Sequence, residues 1–225
     1  MKKKTLSGSP APAGPSQLHR ALAAAAAVLA MAFAAPTVHA QASTAAYPTK
    51  PIRLVVPFAP GGSTDILGRL LAQKMGESLQ TTVVVDNKPG ANGTIGCDLV
   101  AKAPPDGYTV ILGDVGCMAM APGLYTKLPY DPVRDFAPVS LVARSPLVLT
   151  VGAQSPFRSL KDLTVAAKAQ PGKLNYPSSG TGGPNHLGAE LYAMQAKVKV
   201  SHIPYKGSAP SVVSLVAGET DFGFL

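Results

Sequence analysis

This 225-residue chain has no tryptophan, two cysteines, four histidines and only 14% charged residues. Each shortage excludes something. With Cys97 and Cys117 alone, no dense disulfide framework can hold a small coreless domain together. The two can pair or stay as buried thiols, and buried thiols are the stronger expectation. Beyond residue 40 the only histidines are His186 and His202. No Cys or His spacing matches a zinc site, so no metal is expected. Aromatics make up 6% of the chain. With no Lys/Arg run past the N-terminus, a nucleic-acid face is not expected. Gly-x-x-x-x-Gly-Lys-Ser/Thr is missing, and the glycines at 90, 93 and 96 are spaced differently from the dinucleotide fingerprint. No nucleotide or other cofactor is implied.

What is present begins with an export signal. Lys2, Lys3, Lys4 and Arg20 form a basic n-region, and Ala21 to Ala35 is an apolar stretch too short to span a bilayer comfortably. Val38-His39-Ala40 offers a small-x-small cleavage site, which makes 1–40 a signal peptide and Gln41 the expected mature N-terminus. The signal holds four of the 20 Lys+Arg and none of the 12 Asp+Glu, so its removal lowers the net charge from +8 to +4. A mild positive balance suits an anionic small molecule, though weakly.

The remaining chain is organised around Leu54-Val-Val-Pro-Phe-Ala-Pro-Gly-Gly-Ser-Thr-Asp65. An apolar strand over 52–56 runs into a Pro/Gly loop, and a helix follows over 64–78, with Ser63 or Thr64 as cap and Asp65 as a first-turn acid. Leu67, Leu70, Leu71 and Met75 carry its apolar spacing. Strand, glycine turn and helix N-terminus in that order favour an anion. Further strands are expected at 82–85 and 108–112. A short helix follows Gly90–Gly96, whose glycines read as turn and packing positions, and another lies near 117–121. This β-α-β-α-β pattern predicts a mainly parallel sheet with helices on both faces, with ligands at the carboxyl ends of its strands.

In the second half, strands are expected at 136–143 and 147–151 around a crossover at Arg144-Ser145-Pro146. A helix over 159–168 starts with Ser159 as cap and Asp162 as its capping-box partner. Strand 174–176 then delivers Pro177-Ser-Ser-Gly-Thr-Gly-Gly-Pro-Asn-His186 into a helix reaching about Ala196. This repeats the first device, with the hydroxyls of Ser178, Ser179 and Thr181 added. Strand 200–204, a helix over 210–217 and a strand from Asp221 complete the pattern. Two half-chains, each aiming a helix N-terminus at a glycine loop, suit a carboxylate held between two lobes.

The motifs Pro57-Phe58-Ala-Pro-Gly61-Gly62-Ser-Thr-Asp65, Asn87-Lys-Pro-Gly-Ala-Asn-Gly93, Ala103-Pro-Pro-Asp-Gly-Tyr108, Leu128-Pro-Tyr-Asp-Pro132, Tyr176-Pro-Ser-Ser-Gly-Thr-Gly182 and His202-Ile-Pro-Tyr-Lys-Gly207 occur in the order of one family. The chain resembles the Bug family, the TctC-like extracytoplasmic substrate-binding receptors of tripartite tricarboxylate transporters, over nearly all of 48–225. The resemblance implies a two-lobed α/β Venus flytrap of the type II periplasmic-binding kind, with 41–145 as lobe 1 and 146–225 as lobe 2. It implies a periplasmic, monomeric, non-enzymatic receptor for a small organic acid, delivering to the membrane subunits of such a transporter. By motif position the ligand would meet Phe58, Ala59, Gly61, Gly62 and Asp65 in one lobe. Ser178, Ser179, Gly180, Thr181 and His186 would meet it in the other, with Tyr205 at the edge.

Two departures qualify this. Gly113-Asp114-Val-Gly-Cys117 stands where relatives carry Ser/Thr and Thr-His-Ala, and Asp114 at the cleft would oppose an anion or suit an amino group. The family's chains also run on past residue 225, so a return segment that completes the first lobe and supplies its last helices is expected to be missing. Two other functions compete. One is an adaptor for a membrane sensor kinase, with the same ligand site. The other is an exported hydrolase using Ser178 or Ser179 with His186, which no Gly-x-Ser-x-Gly elbow supports.

Overall fold

The computed structural model describes residues 47–225, so the expected signal peptide and cleavage site lie outside the described residues. Its elements, in chain order, are β1 (Ile52–Val56), α1 (Ser63–Leu79), β2 (Val83–Asn87), α2 (Thr94–Ala101), β3 (Thr109–Ile111), α3 (Ala121–Leu124), β4 (Leu149–Val151), α4 (Leu160–Ala169), β5 (Asn175–Ser178), α5 (Pro184–Ala196), β6 (Ser201–Pro204), α6 (Ser208–Val216) and β7 (Phe222–Phe224). No described helix is long and apolar enough to cross a membrane.

The first half forms a parallel three-stranded sheet in the order β2-β1-β3. Ile52, Leu54, Val55 and Val56 of the central strand are buried, because a middle parallel strand has both faces covered. All three strands therefore deliver their following loops to the same edge. Helix α1 packs closely on this sheet through Asp65, Gly68 and Ala72. At Gly68 the approach is tight enough that a Cβ would stand 2.7 Å from Val56 Cγ2. The expected apolar face is only partly used. Leu71 and Met75 are half-buried, while Leu67 and Leu70 are exposed, because the small residues set the contact face. The cap also differs. Gly62 is the N-cap without a side-chain bond, and Asp65 Oδ2 instead accepts from the Gly61 N–H.

In the second half, β5 and β6 are parallel and β4 and β7 antiparallel. The Asp221 N–H donates to Asn175 O at 3.1 Å, and the Asn175 N–H donates to Asp221 Oδ2 at 2.7 Å, which ties β7 to β5. Leu163, Tyr176, Ala189 and Phe222 make the core. The predicted cap of α4 is present: Ser159 Oγ accepts from the Asp162 N–H, and the Asp162 carboxylate accepts from the Arg158 N–H. Residues 136–143 are not a strand. Val139 and Leu141 are exposed and, among the described residues, no strand pairs with this segment. An apolar run becomes a strand only where a neighbour takes its backbone N–H groups. The 147–151 strand is likewise reduced to β4, extended by Val148, which exchanges two backbone hydrogen bonds with Leu225.

Candidate functional site

Loops at the carboxyl ends of four strands meet around a cleft of about 220 Å³. Phe58 follows β1, and Gly90–Gly93 follow β2. Ser179, Gly180 and Thr181 follow β5, while Tyr205 and Lys206 follow β6. Tyr125, just past α3, completes the lining. The site is thus built from both halves of the chain.

Of the residues expected from the sequence, Phe58, Ser179, Gly180, Thr181 and Tyr205 come together here. The others stand elsewhere, for identifiable reasons. Ala59, Gly61 and Gly62 form a seam with the second half. The Ala59 N–H donates to Lys206 O at 3.2 Å, and the Ser63 N–H donates to Ser208 Oγ at 3.2 Å. A Cβ on Gly62 would lie 2.6 Å from Ser208 Oγ. Asp65 is a buried structural acid rather than a ligand contact. It accepts from Gly61 N–H, from Arg69 through both oxygens, and from Asn87 Nδ2. The Arg69 guanidinium, ahead of the Gly61 and Asn87 donors, holds its carboxyl down at about 2 against the cost of burial.

Ser178 is wholly buried beneath the second loop. Its Oγ lies 2.6 Å from His202 Nε2 and accepts from the Gly180 N–H at 3.1 Å. His186 caps rather than contacts: its Nδ1 accepts from the Gly182 N–H at 3.2 Å. Its ring lies 4.1 Å from that of His202. Burial first, and the neighbouring His186 second, push the His202 imidazole down to about 4. The expected anion donors in the loops are therefore partly consumed, since the N–H groups of Gly61, Gly180, Gly182 and Gly183 all serve the loops themselves.

The lining also includes Asn92, Tyr125 and Lys206, of which only Lys206 lies in a stretch expected at the pocket edge. Asn92 reaches the cleft at φ +50°, from a loop read as turn and packing glycines. The signal was available, because that loop also lies at the carboxyl end of a parallel strand. Lys206 supplies the single charged residue of the lining, and Tyr125 a hydroxyl. Asp114 does not line the cleft. Its Oδ1 accepts from the Gly116 and Cys117 N–H groups, so it caps the π-helical turn Gly116–Met120, and burial raises its carboxyl. Cys97 and Cys117 are free, buried thiols packed with Tyr130.

Chemically, the cleft offers hydroxyls, an amide, one lysine and an aromatic face, with no carboxylate among the lining residues. The hydrolase arrangement is not assembled. His186 hydrogen-bonds neither serine, Ser179 Oγ donates to Asn185 Oδ1 at 2.7 Å, and Ser178, which does meet a histidine, is sealed from the cleft. Among the described residues no cluster of His, Cys, Asp and Glu could hold a metal ion.

Residues 67–224 match the model of the tripartite tricarboxylate transporter family receptor. The chain is 47% identical over 176 residues to the UPF0065 protein in the tcbD-tcbE intergenic region of a Pseudomonas species, covering 78% of this chain and 52% of the relative. It is 39% identical over 193 residues to Protein BugT of Bordetella pertussis, covering 85% of this chain and 59% of that one. It thus spans only half to three-fifths of the length of these curated relatives. Among solved structures, Rpa4515 of R. palustris with adipate superposes with a TM-score of 0.77 at 40% identity, over 79% of this chain and 60% of that one. MatC (Rpa3494) of Rhodopseudomonas palustris with bound malate superposes at 0.74 and 33% identity, over 79% and 60%.

Proposed function

Because this chain belongs to the family of tripartite tricarboxylate transporter receptors, we propose that it captures a small organic acid between its two halves and presents it to a membrane transporter. The fold is an α/β periplasmic-binding-protein fold of the two-lobed type II kind, and proteins of this family bind solutes rather than transform them. The observation that carries the proposal is the cleft lining: loops from both halves bring Lys206 and four hydroxyl side chains around one space, with no acidic residue among them. A carboxylate there meets one cation and several O–H groups without meeting a like charge. The acids bound by Rpa4515 and MatC support a dicarboxylate as the ligand.

In this reading 41–145 and 146–225 are the lobes, 1–40 is removed on export to the periplasm, and the receptor works as a monomer. An open form presents the loops after β1 and β2 to those after β5 and β6. The acid bridges them, and closure excludes water. The population shifts toward the closed form by the ligand's differential affinity for it. The membrane subunits then read the closed form.

The test is a thermal-shift screen of the mature chain against adipate, malate, succinate, citrate, glutamate, aspartate and nicotinate. A binding acid at a hundredfold excess over its Kd adds about 2.7 kcal/mol of stability. Silence across the panel, from protein that melts cooperatively, would overturn the carboxylate reading.

A further inference from the structure

We infer that His202 is a positioning residue for ligand capture, acting through Ser178 on the loop that lines the cleft; this rests on the receptor reading above. Tyr176 and Ser178 share one face of β5, and His202 stands opposite Tyr176 in the parallel register, so the three side chains fall on one face of the sheet. Tyr176 stacks on the His202 ring at 5.1 Å between centroids, and His186 closes over it at 4.1 Å. These rings set the direction in which Nε2 points.

The proton inventory then fixes the imidazole's role. Ser178 Oγ accepts the Gly180 N–H and, among the described residues, has His202 Nε2 as its only other partner. Because Ser178 is wholly buried, its hydroxyl proton needs an acceptor, and Nε2 is the one in reach. The imidazole is therefore neutral, accepts at Nε2 and carries its proton on Nδ1. A relay from His202 to Ser178 to Gly180 results, and it sets the plane of the Ser179–Thr181 backbone at the cleft. Gly180 sits at φ +147°, a region open to glycine alone, and glycine's own freedom there leaves the loop's plane to be fixed by outside contacts such as this one. Protonating Nε2 would reverse the hydrogen bond and strand the serine proton. The ionisable groups facing the ring are His186 and Glu190 on α5 and the Tyr176 hydroxyl on β5, which donates to Glu190.

The experiment compares wild type with His202→Leu, His202→Gln and Ser178→Ala. In the ligand-free protein, ring-nitrogen NMR should show His202 Nε2 as unprotonated. The Gly180 amide resonance should move in His202→Leu and Ser178→Ala and return toward wild type in His202→Gln, whose carbonyl can accept. With adipate and malate as probes, His202→Leu should weaken binding about tenfold, because a loop no longer held through Ser178 has to be ordered when the acid binds. His202→Gln should restore most of it. A protonated Nε2 in wild type at neutral pH, an unmoved Gly180 amide, or wild-type affinity in a folded His202→Leu would overturn the inference. Relay signals as expected beside a silent acid panel would support the relay and count against the receptor reading instead.

Discussion

Gly180 and Asn92 meet across the cleft so closely that a Cβ on Gly180 would stand 3.3 Å from the Asn92 Cα. One residue follows β5 and the other follows β2, so the two halves of the chain touch at this contact. Gly183 and Gly116 crowd the same asparagine: built Cβ atoms would lie 2.5 Å from its Oδ1 and 2.5 Å from its Nδ2. Gly180→Ala should therefore both strain the backbone and hold the loops apart. The expected cost is about tenfold in acid affinity, measured by calorimetry, with an unchanged far-UV CD spectrum.

The Asp65–Arg69 pair is predicted to matter for stability rather than for the ligand. Asp65→Ala removes an acceptor for Gly61, Arg69 and Asn87 at once, and should cost about 2–3 kcal/mol in urea melts. The wild-type carboxyl is held at about 2, against an unfolded value of 3.8. The stability it confers is complete above 3.8 and is lost as pH falls through 2. A variant as stable as wild type at pH 7 would contradict this.

His202 acts in the same direction, in a higher pH window. Its folded value near 4 lies below the unfolded 6.5, so the unfolded chain binds the extra proton between them. Stability should fall as pH drops from about 6.5 toward 4, beyond what other groups contribute. Urea midpoints of wild type and His202→Gln, measured at pH 7 and pH 4.5, should differ in this slope. Parallel slopes would remove His202 as the cause.

Cys97 and Cys117 are both fully enclosed, and the contact with the Cys97 thiol, then burial, pushes the Cys117 sulfhydryl up. Neither should react with a maleimide in the folded protein, and both should react in denaturant, as read by intact mass. Modification of either at native rates would place it outside the core described here.

The elements with their own local chemistry were readable from residues alone. Leu54–Val56 had to be a covered strand, Ser159 had to cap α4, and the 178–183 segment had to turn before α5. In each case the informative groups are neighbours in sequence. The family resemblance likewise lay in motif order. What tertiary structure alone decided was the fate of groups whose partners are distant. Asp65 is enclosed away from the cleft because Asn87, 22 positions on, closes over it. Residues 136–143 stayed unpaired although their residue pattern is that of a strand. Asn92 rose from spacer to cleft residue only because β2 and β5 end on facing edges. Ser178 and His202 meet because two strands align in register, a pairing that a separation of 24 positions hides. Local hydrogen bonds and periodicity are encoded in short stretches of chain. Which buried donor meets which acceptor is settled only when sheets and helices stack and exclude water.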